Sequence, residues 1–238
     1  MDEEPWQPRR SRGDHQGRIG YGAGQERPLR RLYREGHRYV ADAAADRCRR
    51  LYLSHWPDPT TPYEETLGAY EKLLAKGKIR HVGASNLDAG QLRAALDVAS
   101  LRGLPRYAVL QPEYNLYDRA AFDGPLRDLC MAGDIGVITY FSLAKGFLSG
   151  KYRSEADLGK SARGDDVKTY LNVRGMRILA ALDAVSARHV ALAWVIARPG
   201  VTAPIASATT LDQVDSLVRA VSLNLSPDDI ADLDSASA

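Results

Sequence analysis

No lysine precedes Lys72 in this 238-residue chain, although arginine recurs throughout the same stretch. Chemistry that needs a lysine ammonium from the N-terminal region is therefore excluded, whatever the remainder supports. Cysteine is scarce too. Cys48 and Cys130 are the only two, too few and too far apart for a disulfide framework or a zinc-binding spacing. They read as buried small hydrophobes rather than reactive thiols, and a reducing, cytoplasmic compartment fits that usage. No apolar run approaches the roughly 18 residues of a membrane helix. The opening residues are polar and arginine-rich, which argues against a secretory signal. Nor is either charge in excess: 32 Lys and Arg against 30 Asp and Glu leave a net charge of +2. That balance gives no reason to expect a nucleic acid or a membrane as partner. The 5 histidines are dispersed, so no metal site is expected.

What is present is ordinary for a soluble globular protein, with 45% hydrophobic and 26% charged residues. The length suffices for one substantial core. Residues 1–38 carry Pro5, Pro8, Gly13, Gly17, Gly20, Gly22, Gly24 and scattered arginines without a sustained apolar period, which predicts a poorly ordered arm. From Tyr39 onward, strand-like and helix-like segments alternate as in βα units, predicting one domain over 39–238.

Five strands are expected: Leu51–Ser54, Ile79–Ala84, Tyr107–Gln111, Val137–Tyr140 and one near Ile205. After the first, Thr61 can cap a helix with Pro62 at its first position and Glu64 three residues beyond, a capping-box pattern. Leu67, Tyr70, Leu73 and Leu74 then share a face, and Gly77 can end that helix. Asp88 can cap the next helix with Gln91, ahead of Leu92, Ala95, Leu96 and Ala99. Phe122, Leu126, Leu129 and Cys130 line a third helix. Further helices are expected over Met176–His189, Val190–Ile196, Thr210–Ala220 and Ser226–Leu233. Alternation alone allows an open doubly wound sheet or a closed barrel. The missing glycine fingerprint at the first strand–helix turn weighs against a Rossmann-type sheet.

Several residues that follow the expected strands have chemical potential. His55 could donate a hydrogen bond to a carbonyl oxygen as charge develops on it, or simply pack. Ser85, Asn86 and Gln111 could hold a carboxamide through paired hydrogen bonds, or cap turns and satisfy buried backbone. Tyr140 could stack on a planar ring, with Gly146 and Gly150 allowing close backbone approach and Lys145 and Lys151 adding positive charge. As a core tyrosine followed by a glycine loop, that segment needs no ligand. The run Ser207-Ala208-Thr209-Thr210 offers hydroxyls and backbone N–H groups to an anion, or merely caps a helix.

Taken in order, Leu51–Asp58, Gly77–Asn86, Gln111–Asn115, Tyr140–Tyr152 and Val190–Gln213 resemble the aldo-keto reductase family. The resemblance extends from about Tyr39 to Ser237. It implies a TIM-type (β/α)8 barrel, here partial, retaining about five of the eight parallel strands with outer helices. It also implies NADP(H) as cofactor and a small-molecule aldehyde, ketone or alcohol as substrate. By position, His55 matches the catalytic histidine. Ser85, Asn86 and Gln111 match the nicotinamide-carboxamide contacts, and Tyr140 matches the stacking aromatic. Phe141, Leu143, Gly146 and Lys151 fall in the following cofactor loop. Ser207, Ala208, Thr209 and Gln213 match the segment around the adenosine 2′-phosphate.

The sequence also departs from the pattern. The family places a tyrosine, an aspartate and a lysine upstream of the histidine, and no lysine stands there. Gly20–Glu26 resembles the tyrosine segment and would make Tyr21 the proton donor. An N-terminally truncated or divergent member with impaired turnover is expected. The alternatives are a cofactor-binding inactive homologue, or an interaction subunit that docks on a complete reductase or forms a homo-oligomer.

Overall fold

The computed structural model describes residues 49–160, 164–185 and 190–238. The expected loose arm, and Tyr21 within it, lie outside the described residues. Among the described residues five strands occur in chain order: β1 (Arg49–Ser54), β2 (Ile79–Ser85), β3 (Val109–Gln111), β4 (Gly136–Thr139) and β5 (Ala203–Pro204). They form one sheet in the order β1-β2-β3-β4-β5, every neighbouring pair parallel. Parallel strands joined by helical crossovers make this sheet a partial (β/α)8 barrel, as expected from the sequence.

The connecting helices are α1 (Tyr63–Ala75), α2 (Ala89–Arg102), α3 (Pro125–Ala132), α4 (Val173–Ala184), α5 (Val190–Ile196), α6 (Leu211–Ser222) and α7 (Pro227–Ser237). Helix α2 starts on the expected capping box: Asp88 accepts from the Gln91 N–H, and the Gln91 side chain accepts from the Asp88 N–H. Gly103 then ends it in a left-handed conformation. At α1 the expected box does not form. Asp58 draws in both threonine hydroxyls, Thr60 and Thr61 each donating to it at 2.7 Å, and no side chain caps the helix. Helix α4 begins earlier than Met176, because Asn172 accepts from the Gly175 N–H at 2.9 Å and sets the first turn. Its expected end at His189 falls outside the described residues. Phe122 does not line α3; it is buried in the turn before Pro125.

Between sheet and helices lies the apolar layer that fixes the strands. Leu67 and Tyr70 of α1, Leu92, Ala95 and Ala99 of α2, and Ile79, Val82 and Ala84 of β2 are buried. One polar group is embedded there. The Ser54 hydroxyl lies 2.7 Å from the Tyr70 hydroxyl and 3.1 Å from that of Tyr107, so α1 and the approach to β3 close on the end of β1. On the other sheet face, Gly83 lets β2 run close to its neighbours. A Cβ there would sit 2.6 Å from the Val109 carbonyl oxygen.

Helix α7 closes the C-terminal end of the fold. Asp234 accepts from the Trp194 indole N–H at 3.0 Å, from Arg119 at 3.1 Å and from Arg198 at 2.8 Å. Both guanidinium groups also lie about 5 Å from the Trp194 ring. That ring stacks on Tyr114, so the helix is tied directly to the segment after β3.

Candidate active site at the strand ends

The predicted site residues follow the C-terminal ends of successive strands: His55 after β1, Ser85 and Asn86 at β2, Gln111 at β3 and Tyr140 after β4. Three of them are linked. The Tyr140 hydroxyl donates to Asn86 Oδ1 at 2.7 Å, and Asn86 Nδ2 donates to the His55 carbonyl at 2.8 Å. Asn86 does this from a left-handed backbone, φ 58°, which asparagine tolerates better than most residues. A side-chain amide with two donors and two acceptor lone pairs keeps half its capacity free in this arrangement.

Ser85 is buried and donates its hydroxyl to the Gln111 carbonyl at 2.7 Å, matching their pairing in the sheet. It therefore acts first as a brace between β2 and β3. The Gln111 side-chain amide is half-buried and makes no hydrogen bond among the described residues. The His55 ring is exposed and lies 5.8 Å from the ring of Trp56, itself 63% exposed.

The loop after β4 is held in a strained form. Phe141, Ala144 and Lys145 have φ of 49°, 46° and 56°, and Gly146 has 103°. Three non-glycine residues in the left-handed region cost of order 1–3 kcal/mol each. Asn115 offsets part of that cost by donating to the Phe141 carbonyl at 3.0 Å, while its own carbonyl accepts from the Tyr117 and Asp118 N–H groups. Buried Thr139 and Ser142 bond at 2.9 Å across the same turn. Lys145 Nζ sits 5.3 Å from the Phe141 ring centroid and Lys151 Nζ 4.9 Å from that of Tyr152. The Lys151 ammonium is thereby kept near Gly146.

Two acidic residues enter the electrostatics here without having been read as site residues. Burial, then the nearby Asp118, raises the Glu113 pKa, and Lys145 partly opposes this. Burial, then Glu113 and Asp118, likewise raises that of Tyr140. Glu113 pairs with Tyr140 through an isolated parallel bridge, so its position follows from the Gln111–Asn115 run. That run named the segment but gave no sign of the charge it places beside Tyr140.

The last group stands apart. Thr209 donates its N–H to Gln213 Oε1 at 2.7 Å and Thr210 caps α6, so the capping reading of this run is realised. Among the described residues no hydrogen bond joins Ser207, Ala208, Thr209 or Gln213 to the Tyr140–Asn86 chain. Leu143 does reach toward α6. It lines a cavity of about 540 Å³ together with Ser149, Arg153, Leu179, Ser216 and Leu217.

A parallel βα sheet whose polar residues collect at the C-terminal strand ends defines a barrel-type enzyme scaffold. The chain belongs to the aldo/keto reductase family, whose model matches residues 34–238. A protein from Oryza sativa subsp. japonica described as a probable voltage-gated potassium channel subunit beta is 31% identical over 180 residues, covering 70% of this chain and 54% of that protein. The NADH-specific methylglyoxal reductase of Escherichia coli (strain K12) is 31% identical over 192 residues, covering 75% and 56% respectively. The chain thus spans about half the length of these curated relatives. The crystal structure of the thermostable aldo-keto reductase Tm1743 with the inhibitor epalrestat superposes with a TM-score of 0.67. It is 23% identical, covering 87% of this chain and 66% of that one, a likeness of fold.

Proposed function

We propose that the chain is an NADP(H)-dependent oxidoreductase acting on an aldehyde, ketone or alcohol, with turnover impaired by an incomplete catalytic set. The observation that carries this reading is the unclaimed Gln111 amide, on a residue paired with Ser85 in the sheet, next in sequence to an Asn86 that Tyr140 and the His55 backbone already orient. Two such amides, one free and one half-committed, fit a carboxamide. A bound nicotinamide would supply the hydride. Asn86 and Gln111 would hold its carboxamide, the Tyr140 ring would give it a flat surface, and Ser85 would keep the two strands in register. The loop from Phe141 to Lys151, with Leu143 and Gly146, would pass along the phosphates. Ser207, Ala208, Thr209 and Gln213 would face the adenosine end, which is the basis for preferring NADP(H). The Escherichia coli relative is named for NADH, so that preference rests on this segment alone.

His55 is exposed, so its ring can donate to a substrate oxygen as negative charge builds there. The proton for that oxygen would come from Tyr21. No lysine stands upstream of His55 to assist that transfer, so proton transfer near neutral pH would be slow. The same deficit favours a second reading, a cofactor-binding inactive homologue or an interaction subunit. The rice relative is named as a probable channel subunit, which supports the interaction-subunit form of this reading. A cytoplasmic location is proposed from the cysteine usage; no described helix is long and apolar enough to cross a membrane. We also propose one domain over 39–238, the span that carries the ordered motifs.

The deciding assay follows NADPH oxidation with a panel of aldehydes and ketones, in parental protein and Tyr21→Phe. Slow turnover is expected, reduced at least about tenfold by the substitution. Turnover unchanged in Tyr21→Phe would remove that residue from the mechanism, and none with any substrate would leave the inactive reading.

A further inference from the structure

The proposed function leaves Glu113 unused, although the strand course carries it into the same rim. Beyond β3 the Tyr140 N–H donates to the Pro112 carbonyl at 3.0 Å and the Tyr114 N–H to the Tyr140 carbonyl at 3.3 Å, which pairs Glu113 with Tyr140. Leu110, Pro112 and Tyr114 are buried, Tyr114 stacking on Trp194, so Gln111 and Glu113 share the opposite face. Paired residues of parallel strands present their side chains to one face. Glu113 therefore stands beside Tyr140 and two residues along from the free Gln111 amide. Its side chain is half-buried, and its carboxyl makes no hydrogen bond or ion pair among the described residues. The charged and titratable groups about it are Asp118, Lys145, Tyr140 and Tyr170. Asp118 is committed, accepting from the Tyr170 hydroxyl at 2.9 Å and from Asn115 at 3.1 Å. Lys145 rests near the Phe141 ring instead.

On the nicotinamide reading proposed above, we infer that Glu113 sets which redox form of the cofactor the site prefers, its charge favouring the cationic ring of NADP+ over the neutral ring of NADPH. The two forms carry the same phosphates, so the ratio of their affinities cancels the adenosine and phosphate contacts and isolates the ring. There the oxidised form has one more positive charge. A carboxylate at the neighbouring register attracts that charge by about tenfold in affinity at an effective permittivity of about 20. A protonated Glu113 gives no such preference. Burial and then Asp118 raise its pKa, so the change of charge falls above the ordinary glutamate range, and the preference grows as pH rises through it.

Calorimetric titration of the full chain with NADP+ and with NADPH, between about pH 5 and about pH 8, tests this. The ratio of NADP+ to NADPH affinity should rise about tenfold over that range in the parental protein. Glu113→Gln should hold the ratio at its low-pH value, and any pH dependence owed to His55 would persist in that variant. Lys145→Gln removes a cation that opposes the rise in the Glu113 pKa, so it should move the change to higher pH. This second variant gives the same readout if Glu113→Gln does not fold. A ratio flat with pH in the parental protein, equally steep in Glu113→Gln, or unmoved in Lys145→Gln would overturn the role of Glu113 and leave the cofactor reading standing. Binding of neither form at any pH would overturn both.

Discussion

Asn86 shows how much one side chain organises. Its left-handed backbone aims the amide across the strand ends, where it accepts from Tyr140 and donates to the His55 carbonyl. Glu113, bridged to Tyr140, bears on the electrostatics of the same residues. Its raised pKa means that the folded state favours the neutral acid. The corresponding stability is present below the usual glutamate range and is lost as pH rises through the raised folded value. Glu113→Gln should therefore melt higher than the parental protein at pH 8, with the gap closing as the pH falls toward the glutamate range. Thermal unfolding across pH checks this, and a constant gap would assign the effect to packing. The positions of His55, Ser85, Asn86, Gln111 and Tyr140 were readable because each stands at the end of an expected strand or just after it. Their linkage was not readable, since the Tyr140–Asn86 bond spans 54 residues of chain. The Ser54–Tyr70–Tyr107 cluster was hidden for the same reason.

Elements were legible wherever a local signal had no competitor. Asp88 and Gln91 form the expected capping box because no nearby group draws either side chain away. Thr61 carries the same signal, but Asp58 takes its hydroxyl first. At α4, the start at Asn172 was missed because the apolar period begins later than the cap. Loss of a working cap should be measurable. Asp88→Ala is expected to destabilise the protein by about 1 kcal/mol in urea unfolding, with an unchanged slope. A change below about 0.3 kcal/mol would mean that α2 is held by its buried face alone.

At the scale of the molecule, the five parallel strands of the described residues and their helices present a set of aligned strand ends, and the function proposed depends on whether that rim holds a cofactor. The fold class followed from the alternation of segments together with the ordered motifs. The outward direction of the exposed Leu211, Val214, Val218 and Val221 of α6 did not, because an apolar period shows that a face exists and not which way it points. The proposed binding and the proposed turnover can be tested separately, since the strand-end residues are present while no lysine stands upstream of His55 in this sequence. The most direct test is a fluorescence titration of NADPH into the parental protein and into Asn86→Gly, which keeps the backbone conformation and removes the amide. The account predicts saturable binding by the parental protein, weakened about tenfold in the variant, or roughly 1.4 kcal/mol. Absence of saturation in the parental protein, or equal affinity in both, would contradict it.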